Sequence, residues 1–135
     1  MGRLSKLQIR NVKDAEKKEF TNLMKMIGFT RDSDFYSFCA AVAFFRISKD
    51  PKFEIKRLKK GVNAFYAGST IRDVKLFESL LDRYFPNCHD DQKKIFENVF
   101  YSGFLLISDW WEKDGQNAQS EIERITSLME YVKEG

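Results

Sequence analysis

The segment Phe35 to Ile47, FYSFCAAVAFFRI, would be apolar on most of its circumference as a helix, with Ser37 and Arg46 its polar interruptions. A helix with so little polar surface has to be buried on nearly every side, so the rest of the chain has to be arranged around it. It is also shorter than the roughly 20 residues a membrane span requires, which makes it the central helix of a packed domain. Asp32 or Ser33 can cap its start, and Ser48-Lys49-Asp50-Pro51 ends it. Phe35, Phe38, Cys39, Phe44 and Phe45 are therefore expected in the core.

The chain that must surround this helix has 135 residues, 43% of them hydrophobic and 15% aromatic, enough for one domain with a substantial core. Helical periodicity recurs on both sides. Phe20, Leu23, Met24 and Ile27 fall at i, i+3, i+4 and i+7 after Asp14, with Gly28 placed as a C-terminal cap. Thr70 and Asp73 have capping-box spacing, followed by a face of Ile71, Val74, Phe77, Leu80, Leu81 and Tyr84 that Pro86 stops. Asp90 or Asp91 caps a long fourth helix with a face of Ile95, Phe96, Val99, Gly103, Leu106 and Trp110, where Gly103 can bring a neighbouring backbone close. After the loop Asp114-Gly115-Gln116-Asn117, Ser120 and Glu123 repeat the capping box, and Ile122, Ile125, Met129 and Val132 mark the expected core face of a last helix.

The expectation is an all-α fold: a single compact bundle of about five helices over residues 14–135, preceded by a basic, flexible arm at 1–13 carrying Arg3, Lys6, Arg10 and Lys13. Near 52–66 the pattern fits either a short β-ribbon or an irregular connector. The N-terminus has no continuous apolar h-region, and no apolar run is long enough to span a bilayer, so neither secretion nor a membrane partner is expected. Cys39 and Cys88 lack any disulfide or zinc spacing, which fits a reducing, cytoplasmic setting.

Charge is distributed unevenly. Residues 1–86 hold 18 basic and 10 acidic side chains, whereas 87–135 hold 5 and 10. Lys49, Lys52, Lys56, Arg57, Lys59 and Lys60 crowd six cations around Phe53 against Asp50 and Glu54. These six are the candidate nucleic-acid contacts, because backbone phosphates are held by neutralising cations and DNA or RNA bases stack on aromatics. The plainer alternative is a solvated, lysine-rich loop. Trp110 and Trp111 are the candidate protein-contact residues: adjacent on a helix, they point to different faces, so one is expected buried and the other partly exposed. The acidic C-terminal half could receive a basic surface of another subunit or another copy, making a homo-oligomer or a complex component.

Catalytic readings have less to rest on. The single histidine, His89, sits in Pro86-Asn87-Cys88-His89-Asp90-Asp91, and consecutive turn residues rarely converge on one metal or form a nucleophile–base pair. No GxGxxG, GxxxxGK[ST] or GxSxG is present. No catalytic residue, metal or cofactor is assigned.

Two segments carry a family resemblance. Tyr36-Ser37-Phe38-Cys39-Ala40-Ala41-Val42-Ala43-Phe44, followed by Arg46, Lys49 and Pro51, and Glu97-Asn98-Val99-Phe100-Tyr101-Ser102-Gly103-Phe104 resemble small proteins encoded with DNA phosphorothioation (Dnd) systems. The two cover about a fifth of the chain. Ala43 stands where that family tends to have glycine, and Asn98 where it tends to have a second acid. The resemblance implies a prokaryotic, non-enzymatic accessory module working beside DNA modification and restriction machinery in defence, with subunits of such a complex as partners. It transfers no catalytic residue.

Overall fold

A computed structural model describes residues 14–56, 74–87 and 92–134. The arm at 1–13, Thr70 and Asp73, Cys88 to Asp91, and Arg57, Lys59 and Lys60 lie outside the described residues. Five α-helices follow in order: α1 Asp14–Ile27, α2 Asp32–Lys49, α3 Val74–Tyr84, α4 Gln92–Lys113 and α5 Glu121–Glu134, with a short 3₁₀ turn at Gly115–Asn117 between the last two. The fold is all-α, as its periodicities predict, and no strand occurs among the described residues.

Helix α1 ends where expected. Gly28 adopts φ +112°, and the amides of Gly28 and Phe29 both donate to the carbonyl of Met24, at 3.2 and 3.0 Å. Only a residue without a β-carbon takes that conformation without strain. The start of α2 differs from the sequence expectation. Asp32 is its first helical residue, and Arg31, extended at φ −120° and ψ 133°, precedes it without a side-chain cap; the turn closes through Phe35 N–H donating to the Arg31 carbonyl at 3.2 Å. Its end lies two residues beyond Ile47, because Asp50 N–H still reaches the Arg46 carbonyl at 2.8 Å before Pro51 stops the helix.

Helix α2 is central, and it packs most extensively on α4. Gly103 makes that approach possible: a β-carbon there would lie 1.7 Å from the carbonyl oxygen of Cys39. Around this crossing Tyr36 stacks on Phe100 at 4.3 Å, Phe20 sits 5.0 Å from Phe35 and 5.7 Å from both Phe100 and Phe104, and Phe77 of α3 lies 5.2 Å from Phe96. Phe35, Cys39 and Phe44 are buried as expected. Phe38 and Phe45 are a correction: both are half-buried and line a groove of about 580 Å³ between α2 and α3, with Leu80 and Tyr84 opposite. They sit on the edge of α2 that neither α1 nor α4 covers. Burial also pushes the Cys39 thiol well above its ordinary pKa, so it packs as a small apolar residue.

The connector leaving α2 is irregular over residues 53–56. It is held on α4 by Ser102, whose hydroxyl accepts from Lys56 N–H at 2.7 Å and donates to the Asn98 carbonyl at 2.8 Å. Arg46 is buried beneath it, with its guanidinium 5.3 Å from the Phe53 ring.

Candidate functional site

Helix α5 departs most from the amphipathic pattern read in its sequence, and the departure starts where it is built. Its N-terminus forms as the capping spacing predicts: Ser120 Oγ accepts from Glu123 N–H at 3.2 Å, while Glu123 Oε2 reaches back to Gln119 N–H at 2.9 Å. The 3₁₀ turn before it lies against the Trp110 indole, where a β-carbon on Gly115 would come within 2.8 Å of the ring. The rotation of α5 about its own axis is then set by polar contacts.

Four hydrogen bonds fix that rotation. Trp110 Nε1 donates to Ser127 Oγ at 2.9 Å, and the Tyr131 hydroxyl donates to Asp109 Oδ2. Arg124 donates to the carbonyl of Ile27, the last residue of α1, at 3.3 Å, and its guanidinium lies 5.2 Å from the Trp111 ring. Arg46 of α2 donates to the carbonyl of Val132 at 3.0 Å. In the last two, an arginine from another helix meets carbonyls at a helix C-terminus, where the helix dipole favours a cation.

With α5 held this way, its inward side presents Arg124, Ser127, Leu128, Tyr131 and Val132 to the bundle. Ile122, Ile125 and Met129 face outward, 78%, 59% and 56% exposed. This corrects the sequence expectation of a core face built from Ile122, Ile125, Met129 and Val132, of which Val132 alone is buried. The apolar residues of α5 span an arc of about 120° at 100° per residue. The bundle covers the Leu128–Val132 side of that arc and leaves the other side in solvent. Turning the stripe inward would break the side-chain bonds of Arg124, Ser127 and Tyr131. Among the described side chains of the same helix, the exposed charges are Glu121, Glu123, Glu130 and Lys133.

The tryptophans divide as expected. Trp110 is wholly buried, so its ring offers no surface to a partner and it serves as the anchor of α5. Trp111 is half-buried beneath Arg124. Of the basic connector, Lys49, Lys52 and Lys56 are exposed. Lys49 lies 5.6 Å from the Phe45 ring, and the Asp50 carboxylate is engaged by Lys52 N–H at 3.1 Å and Arg46 at 3.8 Å.

One carboxyl is displaced. Glu97, half-buried on α4, is pushed up from 4.5 to about 7 by burial, against the opposing pull of Lys94. Among the described residues no three His, Cys, Asp or Glu side chains are grouped to hold a metal, and no helix is long and apolar enough to cross a membrane.

What the α5 face can do is bury apolar surface. Each aliphatic side chain moved fully out of water contributes about 2 kcal/mol before the costs of association. No family model, no curated protein and no solved structure matches the chain.

Proposed function

We propose that this protein is a non-enzymatic interaction module that docks a protein partner on the Ile122–Ile125–Met129 face of α5. One observation carries the reading: polar bonds from Arg124, Ser127 and Tyr131 hold outward an apolar stripe that a helix rotated by about a third of a turn would bury. Exposed apolar surface that specific bonds maintain is costly in solution and is accounted for by a partner that covers it. The resemblance to Dnd system-associated proteins supports a subunit of DNA modification or restriction machinery as that partner.

Affinity capture from source cells tests this by comparing wild type, Ile125→Glu/Met129→Glu and a Leu76→Glu control on α3. The expected result is a protein retained by wild type and by the control and lost from the α5 variant. Identical recovery from all three contradicts the reading.

A second reading is favoured by the exposure of Lys49, at the end of α2, and of Lys52 and Lys56 along a connector fixed to α4 through Ser102. Together with Arg57, Lys59 and Lys60 they would contact nucleic-acid phosphates. Binding of labelled DNA or RNA should then weaken linearly with log salt and be lost in Lys52→Glu/Lys56→Glu/Lys59→Glu. Absence of binding at low salt rejects it.

A further inference from the structure

The charges set around the α5 stripe narrow the chemistry of what can cover it. At about 100° per residue, Ile125, Met129 and Ile122 occupy an arc of about 60°. Glutamates stand at both edges of it. Glu121 lies beside Ile125, and Glu123 and Glu130, exposed and about two turns apart, lie about 90° round from Ile122 on the other side. That second edge opens into a groove of about 470 Å³, which Glu123 and Glu130 share with Asp114 and Asn117 from the turn before α5 and with Ser127 and Tyr131.

The neighbouring cations are turned to other work. Lys113 is drawn to Asp109 at 3.2 Å, and Arg124 points inward to the Ile27 carbonyl. Lys133 belongs to the last turn of α5, beyond Met129, where the helix dipole favours it. Asp114 makes no capping bond to the 3₁₀ turn that it precedes. An apolar strip and an acidic groove therefore run side by side.

This pairing selects among occupants. Helices that lie on membranes flank their apolar face with cations, and anionic lipid repels carboxylates, as nucleic-acid phosphates do. Two copies paired stripe to stripe would set acid against acid whichever way the helices run, because both edges carry glutamate. A partner helix with an apolar row and cations along one side meets the apolar strip and the groove together.

We infer that the partner of α5 presents a basic amphipathic helix, its apolar row on Ile122, Ile125 and Met129 and its Lys or Arg side chains in the groove of Asp114, Glu123 and Glu130. This inference rests on the reading of α5 as a docking face.

The test is selection of phage-displayed helical peptides on the full-length purified chain, with an apolar i, i+3, i+7 row fixed and the flanking positions randomised among Lys, Gln and Glu. Enrichment of Lys along one edge is expected. The selected peptides should bind Asp114→Lys/Glu130→Lys about ten-fold or more weakly, Asp114→Asn/Glu130→Gln with an intermediate loss, and Ile125→Glu/Met129→Glu not at all. No enrichment, enrichment of Gln or Glu, affinity for the charge-reversed chain within about two-fold of wild type, or binding that survives loss of the stripe each overturns the inference. The two proposals fail separately in capture from source cells. Stripe-dependent capture that Asp114→Lys/Glu130→Lys leaves unchanged keeps the docking face and removes the basic partner, whereas capture that Ile125→Glu/Met129→Glu leaves unchanged removes the docking face itself.

Discussion

The indole nitrogen of Trp110 donates to Ser127 Oγ at 2.9 Å, from a ring with no exposed surface to a hydroxyl on the inward side of α5. That bond joins the core to the rotation of the last helix. Removing the hydroxyl leaves a buried donor without a partner, which costs about 1–3 kcal/mol. Ser127→Ala should therefore lower stability by that amount in urea unfolding, and Ser127→Thr, which keeps the hydroxyl, by less.

The outward stripe should be dispensable to the fold. Ile125→Glu/Met129→Glu places charge where side chains already meet water, and such surface changes fall within about 0.5 kcal/mol. Leu128→Ala or Val132→Ala, on the covered side of the same helix, should cost about 1–3 kcal/mol. Thermal unfolding of the three variants checks the contrast, and a large loss in the first would place the stripe in the core.

Gly103 should tolerate no side chain. Its β-carbon position lies 1.7 Å from the Cys39 carbonyl, a backbone atom that cannot move without parting α2 from α4. Gly103→Ala should cost about 3 kcal/mol or more, measured by chemical denaturation.

Glu97 gives the fold a dependence on pH. Its folded pKa of about 7 lies above the ordinary 4.5, so the protonated form is the one the fold prefers. The contribution is fully present below pH 4.5 and is lost as pH rises through 7. Solvent screening at this partly open position holds the effect to about 1 kcal/mol. Glu97→Gln should match wild type at pH 4 and exceed it in stability at pH 8; equal stability at both values would contradict the assignment.

Helix existence was legible because period and caps agree. Gly28, the Ser120–Glu123 pair and the all-round apolar α2 each announce their structure locally, and Gly103 signalled a close approach by its lack of a side chain. The orientation of α5 was not legible. Counted by periodicity, Ile122, Ile125, Met129 and Val132 make the more apolar face, and the side that wins is fixed by Trp110, Asp109, Ile27 and Arg46, all distant in sequence. Arg46 and Arg124 were missed for a related reason. Each reads as a surface cation, and only the tertiary arrangement brings a helix C-terminus to it. The candidate site thus emerged as a departure from sequence pattern, and the connector lysines, read from charge alone, received only their exposure at Lys49, Lys52 and Lys56.

The most direct measurement of the docking claim is a photo-crosslinker scan along α5 in source cells, with p-benzoylphenylalanine placed singly at Ile122, Glu123, Ile125, Thr126 and Met129. The expected pattern is a discrete adduct to another protein at Ile122, Ile125 and Met129, with weak or no yield at Glu123. Adducts of equal strength around the helix, or none at the three apolar positions, would contradict α5 as an interaction face.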